Sequence, residues 1–586
     1  MAELPFSLFG VSNHSSLVVT AADVAAVLAP LVGPLGPAAG AVVAGAWDAF
    51  TNAADAVGAA AAPYARAATF LHIPALDAAA DGLAASVGQD AGTLKYLLTL
   101  LAAYPLAVLF TALPGTAAKN AYSLITGVVL AQFVFGAEWV HAAVAATGAY
   151  VLMIATAPLR RSIVSALVVF VWMMGYLTAQ HLYRLHVDYL GWSLDITGPM
   201  MLMTIKLSSL GFQLHDAAKA SSYDRAITAA NAAPADKGKG ALARIVRERK
   251  SRAIASVPGP LEYYAYVFCF ATFFAGPAFD FSEYRRSVSG ESLAAGSTDG
   301  KGTTNMRWGS RLRAAFGKLF ISLLCLAGTA VGQARFPFAS VYSSAEVLHG
   351  PTSTLLTRYG WAWVCLFFTR CKYYFAWLMT EGSANLAGFG FRHKEGDWAG
   401  VQNIDILGFE AAPTITGATL AWNQQTQQWL ARYCSQRLPR SVSKIATYAL
   451  SAFWHGFYPG YYMAFLSAPL LTAVETTLGE KIAPRFAAAG KAAAAAYGVL
   501  ARVVVSIYIN YMIMPFVSLA FNYAMVAWAS VYFFGHVSAV IALALLACVP
   551  RVRAARAPAA ASASTSAAPA AAAEPPSSSS KKAKTH

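Results

Sequence analysis

The sequence predicts an all-α integral membrane protein, a multi-span bundle of helices, and three observations predict it. Of 586 residues, 57% are hydrophobic and 12% charged, where a soluble chain carries about 25% charged residues. A soluble body of this size would lack the polar side chains to cover itself. The apolar residues are gathered into runs that approach or exceed the roughly 20 residues a membrane helix needs. Lys and Arg, which give a net charge of +15, crowd into 217–259, 282–314 and the tail after Cys548. Basic loops between apolar segments are the positive-inside pattern.

In chain order, residues 1–90 form an Ala-rich segment whose apolar stretch 17–45, broken by Gly and Pro, is a candidate first membrane helix. The polytopic domain runs from 91 to 549. Spanning runs are expected near 92–118, 122–156, 163–183, 261–281, 315–333, 358–379, 443–466, 495–513 and 517–549, some long enough for two passes. About ten or eleven hydrophobic helices are expected in all. The stretch 198–212 reads as broken or re-entrant, because Gly198 and Pro199 open it and Gly211 interrupts it. The polar connector 217–259 contains a flexible stretch, Asp236–Gly240, and a short helix around Ala241–Ser256. Residues 550–586, rich in Ala, Ser, Pro and Lys, cannot bury a core and read as a disordered basic tail. One conflict stands. The loops 217–259 and 282–314 are both basic, yet a single run, 261–281, separates them, so either that run does not cross or one loop breaks the rule.

Composition also excludes classes. No nucleic-acid module or aromatic-lined basic groove accompanies the positive charge, so nucleic acid is not a partner. The six cysteines sit mostly in apolar runs without a C-x-x-C pair, which argues against a disulfide framework and against a metal site. No secretory signal peptide is visible. Neither a period of 20–50 residues nor a G-x-S-x-G elbow is found. His72 and Asp77 match an H-x₄-D spacing known from one class of enzymes, but the glycine-rich partner motif is missing and the match is coincidence.

Two stretches carry chemistry. The first is Ser451-Ala-Phe-Trp-His-Gly-Phe-Tyr-Pro-Gly-Tyr461. His455 lies in an apolar run with no other ionisable group between Lys444 and Glu475 except tyrosines, and such a residue within a membrane helix is expensive and usually functional. Pro459 cannot donate to the carbonyl of His455 four residues back, so the helix should kink at the histidine. Burial disfavours the imidazolium, which leaves a neutral base able to take a proton. A lone histidine is more often a satisfied structural residue, and this setting reverses the balance. The second stretch is Trp422-Asn-Gln-Gln-Thr-Gln-Gln-Trp-Leu-Ala-Arg-Tyr433, where Trp422, Thr426, Trp429 and Tyr433 fall on one stripe of an amphipathic helix with Asn423 on its flank. Simple packing is an equal reading for Trp429 and Tyr433.

Together these stretches resemble the membrane-bound O-acyltransferase family, and closely its lysophospholipid acyltransferase branch. In that family the Asn of a Trp-Asn motif and the His of a Trp-His-Gly-x-x-Pro-Gly-Tyr motif form the active pair, here Asn423 and His455. The resemblance extends in order over roughly 95–545. It includes Asp195-Ile-Thr-Gly-Pro199 with Lys206-Leu207, Gly276-Pro277 with Phe281 and Tyr284, Tyr373-Tyr-Phe-Ala-Trp377 with Glu381-Gly382 and Asn385-Leu386, and Asn403-Ile-Asp-Ile-Leu-Gly-Phe-Glu410. The Ala-rich N-terminus, the long connector and the loop 286–310 depart from it.

The resemblance implies a helical bundle around a buried reaction tunnel, in which an acyl chain passes from acyl-CoA, a co-substrate and not a cofactor, to the sn-2 hydroxyl of a lysophospholipid. Trp422, Trp429, Tyr433, Trp454, Glu381 and Asn385 are candidate substrate-binding residues. Three other readings compete. A sterol or diacylglycerol acyltransferase usually has Asp-Trp-Trp-Asn where Leu420-Ala421-Trp422-Asn423 stands here. A protein acyltransferase shares the histidine but matches the other blocks poorly. A transporter would use His455 as a proton relay, without the inverted repeat expected of it. Lys582 and Lys584, five and three positions from the end, resemble a dilysine retrieval signal of endoplasmic reticulum membrane proteins, with the C-terminus cytosolic. A solvated basic tail is the equal alternative.

Overall fold

The structure, a computed structural model, describes residues 73–191, 194–232, 237–294, 303–393 and 395–551. The expected stretch 17–45, the Ala-rich segment up to His72, and the tail with its lysine pair lie outside the described residues. Every regular element described is helical, apart from one isolated bridge between Arg392 and Asp397.

Among the described residues, five helical segments are long and apolar enough to cross a membrane, or six if one bent pair counts as a single span. They are α1 (Ala91–Ala112), the near-continuous pair α2 (Gly115–Phe135) and α3 (Trp139–Ala155), α4 (Val164–Val187), the segment Trp308–Ser343 that holds most of α8 (Thr303–Arg335), and α14 (Lys491–Ser518). The bent pair is α15 (Phe521–Ser530) with α16 (Phe534–Ala547), turned by 63°. The expected ten or eleven were counted over the whole chain; among the described residues the remaining apolar runs form helices that are short or carry charged groups, such as Arg370 within Leu355–Leu386.

The run 261–281 is one of these. Only α7 (Pro260–Val267) is helical before the chain turns through 268–280, and almost every residue there is buried. Its two ends meet. Arg285 Nε lies 2.8 Å from Glu262 Oε1, and Arg252 Nη1 lies 2.6 Å from both Asp280 Oδ2 and Glu283 Oε1. A segment whose flanks are joined by ion pairs enters and leaves on one side, so it does not cross. The two basic loops then share a face, and the conflict in the charge pattern disappears. The loop is held from within: Ser123 of α2 donates to the Ala265 carbonyl at 3.2 Å, and Tyr263 donates to the Ala146 carbonyl of α3 at 2.8 Å. A side chain at Gly127 would collide with the Phe268 carbonyl at 1.6 Å, so only glycine allows this approach.

The stretch 198–212, expected to be broken, is an unbroken helix, α5 (Thr197–Ala218), buried on all sides from Thr204 to Asp216. Pro199 sits in its first turn, where a missing N–H costs nothing, and Gly211 packs against Val169 of α4. The connector helix, expected over 241–256, is α6 (Lys237–Arg252), so the supposed flexible stretch is helical from Lys237.

The second block opens with α8 (Thr303–Arg335) antiparallel to α9 (Leu355–Leu386). The register is fixed by Gly332 against Phe368, Ser322 Oγ donating to the Phe375 carbonyl at 3.0 Å, and Lys318 Nζ donating to Asn385 Oδ1 at 2.9 Å. The expected run 358–379 lies within α9, which carries a buried charge: Arg370, 2% exposed, holds Glu410 through two bonds of 2.9 and 3.0 Å and donates to Asn510 of α14 at 2.7 Å. The expected run 443–466 is two helices, α12 (Arg440–His455) and α13 (Pro459–Lys481).

Candidate active site

His455 is the last residue of α12, and Gly456 leaves the helix at φ 111°. Pro459 is the first residue of α13, so the chain breaks between two helices where the sequence suggested a kink within one. The reason is the one proline supplies: without an N–H it cannot continue the ladder, but its fixed φ suits the start of a new helix. Each glycine of the motif sits where a side chain would collide. A Cβ on Gly456 would lie 3.0 Å from His181 Nδ1, and one on Gly460 would lie 2.0 Å from the Pro515 carbonyl of α14. The Gly460 N–H donates to the Leu519 carbonyl at 2.7 Å, which clamps α13 onto α14.

That clamp encloses the His455 ring. Trp454 lies 4.7 Å away and Phe516 of α14 5.1 Å away, both edge to face; Phe465 stacks at 5.5 Å and Tyr461 lies at 5.6 Å. Such contacts contribute about 0.5–1.5 kcal/mol each and fix the ring. Neither ring nitrogen has a hydrogen-bond partner among the described residues, and no carboxylate pairs with the ring.

Asn423 stands between α10 (Ile415–Ala421) and α11 (Gln424–Trp429) in the left-handed conformation, φ 45° and ψ 53°. Asn is among the few residues that adopt this backbone readily. Its Oδ1 accepts from Thr426 Oγ1 at 2.9 Å, which leaves the amide Nδ2 as an unspent donor. The turn is braced from behind: Gln424 N donates to the Asn403 carbonyl at 2.7 Å, and Asn403 N donates to Glu381 Oε1 at 2.6 Å.

The expected stripe over 422–433 loses Trp422, because the helix starts only after Asn423; Thr426, Trp429 and Tyr433 are all buried, the last beyond a π turn at Leu430–Cys434. Trp422 packs with Tyr373 at 5.8 Å, Trp377 at 5.0 Å and Phe409 at 4.9 Å. Trp429 donates to Ser208 of α5 at 3.0 Å and lies 6.2 Å from Trp454, so it joins the Asn423 helix to the His455 turn. Trp454 Nε1 donates to the Met201 carbonyl at 3.0 Å. Tyr433 stacks on Phe212 and donates to Asp280 Oδ1 at 3.0 Å. Burial, and then the Asp280 carboxylate, push its phenol well above its ordinary value, so it stays a donor.

Glu381 and Asn385, both fully buried on α9, have their polar atoms engaged by the protein. Glu381 accepts from the Asn403 and Ile404 amides, and Asn385 donates to the carbonyls of Phe389 and Trp398. Lys318 Nζ is 2.9 Å from Glu381 Oε2 but directs its hydrogen bond to Asn385, so it meets Glu381 as an ion pair.

One site residue escaped the sequence. His181 of α4, 8% exposed, places Nε2 3.1 Å from the Trp454 carbonyl, which can only accept, so Nε2 carries the proton. Its ring fills the space beside Gly456, and Tyr458 of the same turn accepts from the Leu190 amide at 2.9 Å. The signal that marked His455, an ionisable group in an apolar run, also marks His181. It equally marks His141, which pairs with Tyr176 at 2.9 Å, so it does not discriminate. His181→Gln keeps a donor near the position of Nε2, whereas His181→Ala strands a buried carbonyl at about 1–3 kcal/mol. The expected result is a loss of activity in the alanine variant, about tenfold, that glutamine restores in part. Equal activity of the two variants in a kcat comparison would remove His181 from the positioning of this turn.

Comparison with known proteins follows the same residues. Positions 186–518 match the family model described as MBOAT, membrane-bound O-acyltransferase family. Lysophospholipid acyltransferase 2 of Arabidopsis thaliana is 28% identical over 490 residues, 80% of this chain and 96% of that protein. Membrane-bound glycerophospholipid O-acyltransferase 1 of Homo sapiens is 28% identical over 458 residues, 76% of this chain and 86% of that protein. Lysophospholipid acyltransferase 6 of Drosophila melanogaster is 27% identical over 481 residues, 79% of this chain, which spans 62% of that protein's length.

Proposed function

The chain belongs to the membrane-bound O-acyltransferase family, and from that premise we propose that it transfers an acyl chain from acyl-CoA to the free sn-2 hydroxyl of a lysophospholipid. The observation that carries the chemistry is His455, enclosed by aromatic rings with both nitrogens unspent. A neutral ring nitrogen takes the lysolipid hydroxyl proton while the oxygen attacks the thioester carbonyl carbon, a general-base contribution of about 10²–10⁴-fold. Asn423 Nδ2 donates to the oxyanion of the tetrahedral intermediate. As the C–S bond breaks, the CoA thiolate leaves and the proton on His455 goes to it. A thiol with a pKa near 8.5 needs little help to leave. Trp422, Trp429 and Trp454 then line the path of the acyl chains, while Glu381 and Asn385 position the Asn423 turn from behind. The tunnel that brings both amphiphiles to His455 is part of this proposal.

The relatives' names support a lysophospholipid acceptor over a sterol, a diacylglycerol or a peptide. Membranes containing the protein, offered one labelled acyl-CoA and all four acceptors in parallel, are expected to label the lysophospholipid. Label on any of the other three, with none on lysophospholipid, overturns the acceptor while leaving acyl transfer standing. Residence in the endoplasmic reticulum with a cytosolic C-terminus is supported by Lys582 and Lys584 and by the shared face of the basic loops. In sealed microsomes a C-terminal tag is expected to be cut by added protease, and a protected tag would reverse this topology.

A further inference from the structure

We infer that Arg311, with Lys119, forms a binding site for the phosphate of a phospholipid headgroup, on α8 and α2 and apart from the Asn423 and His455 turns. Arg311 is 7% exposed, and its guanidinium lies 4.8 Å from the ring of Trp308 and 5.5 Å from that of Trp398. Its Nε is buried without a hydrogen-bond partner, and among the described residues no carboxylate pairs with it. A buried, uncompensated cation is costly, and natural structures pair such groups. The aromatic faces offset part of that cost, but they use none of the guanidinium's N–H donors, whose fork matches two oxygens of a phosphate.

Three neighbouring cations have carboxylate partners, which Arg311 lacks among the described residues. Lys318, two turns along α8, has Glu381; Arg285 has Glu262; Arg252 has Asp280 and Glu283. Lys119 of α2, half-buried and within electrostatic reach of Arg311, has no carboxylate partner among the described residues either. The two cations are joined through Phe110, which lies 5.8 Å from the Lys119 ammonium and 5.9 Å from Phe389. Gly388, next to Phe389, has φ 96°, and a Cβ built there would sit 3.5 Å from Arg311 Nη2.

The depth of the site selects the lipid. Trp308 opens a candidate membrane span and is 37% exposed, as expected of an aromatic residue at the membrane interface. Arg311 follows within one turn, and Phe316 and Phe320 beyond it present 50% and 64% of their surface outward. That is headgroup level above an acyl-facing surface.

The test uses thermal unfolding of the purified full chain in micelles doped with phosphatidic acid, phosphatidylcholine or diacylglycerol, or supplied with inorganic phosphate. The expected result is a rise in Tm with the two phospholipids and none with diacylglycerol or inorganic phosphate. Arg311→Gln is expected to need about tenfold more phospholipid for the same rise, and Lys119→Gln to show a smaller change in the same direction. Lys119→Gln also serves where Arg311→Gln fails to fold. An equal rise with diacylglycerol, or unchanged lipid dependence in both variants, overturns the site. A rise with inorganic phosphate matching that with phospholipid overturns the lipid as its occupant. The readout is independent of acyl transfer, so it stands or falls apart from the proposed reaction.

Discussion

Replacing His455 by alanine is expected to leave a folded, membrane-inserted protein whose acyl transfer falls by about 10²–10⁴-fold. The size of the effect follows from the surroundings of the ring. Among the described residues no carboxylate pairs with it, and the nearest other imidazole, His181, is held by the Trp454 carbonyl through Nε2. Three of the aromatic neighbours pack against one another as well as against the histidine, with Tyr461 and Phe516 at 4.7 Å and Phe465 and Phe516 at 6.1 Å, and Trp454 lies 6.2 Å from Trp429. The cage therefore keeps contacts of its own when the imidazole is removed. His455→Gln, which restores a polar group but not a base, is expected to be as inactive as the alanine variant. Activity close to wild type in either variant, with normal insertion by protease mapping, would contradict the assignment.

The second large effect belongs to Asn423, whose backbone makes the choice of substitution decisive. At φ 45° an alanine is strained by roughly 1–2 kcal/mol, so Asn423→Ala confounds a lost amide with a disturbed turn. Asn423→Gly keeps the conformation and removes only the side chain. The glycine variant is expected to lose about 10²–10³-fold in kcat, the loss typical of a missing oxyanion donor, with unchanged thermal stability. The alanine variant is expected to lose at least as much and to unfold at a lower temperature. A glycine variant with full kcat would reduce Asn423 to a turn residue that Thr426 and Asn403 hold for structural reasons.

The places where the sequence misled share a cause. Residues 261–281 read as a span because apolar side chains facing protein and those facing lipid are indistinguishable by hydropathy. What turns the segment back is a set of ion pairs between positions 20 to 30 residues apart, Glu262 with Arg285 and Arg252 with Asp280, and no local window contains both partners. The helical stripe over 422–433 lost Trp422 at Asn423, where a single left-handed residue resets the phase, while Thr426, Trp429 and Tyr433 stayed buried. Local chemistry was more legible. Pro459 and the two glycines announced a break beside His455, and the structure gives each a reason: His181 behind Gly456, the Pro515 carbonyl behind Gly460. His181 itself was hidden because its role depends on a carbonyl 273 positions away.

The central claim is direct transfer from a thioester to a lysophospholipid hydroxyl at His455, and it is reached by following both products in one reaction. The purified full chain is mixed with labelled acyl-CoA, free thiol and labelled lipid are measured, and lysophospholipid is added afterwards. The account predicts no thiol before the acceptor arrives, then one thiol for each diacylphospholipid formed. A stoichiometric burst of thiol before acceptor, with the label retained on the protein, would contradict it.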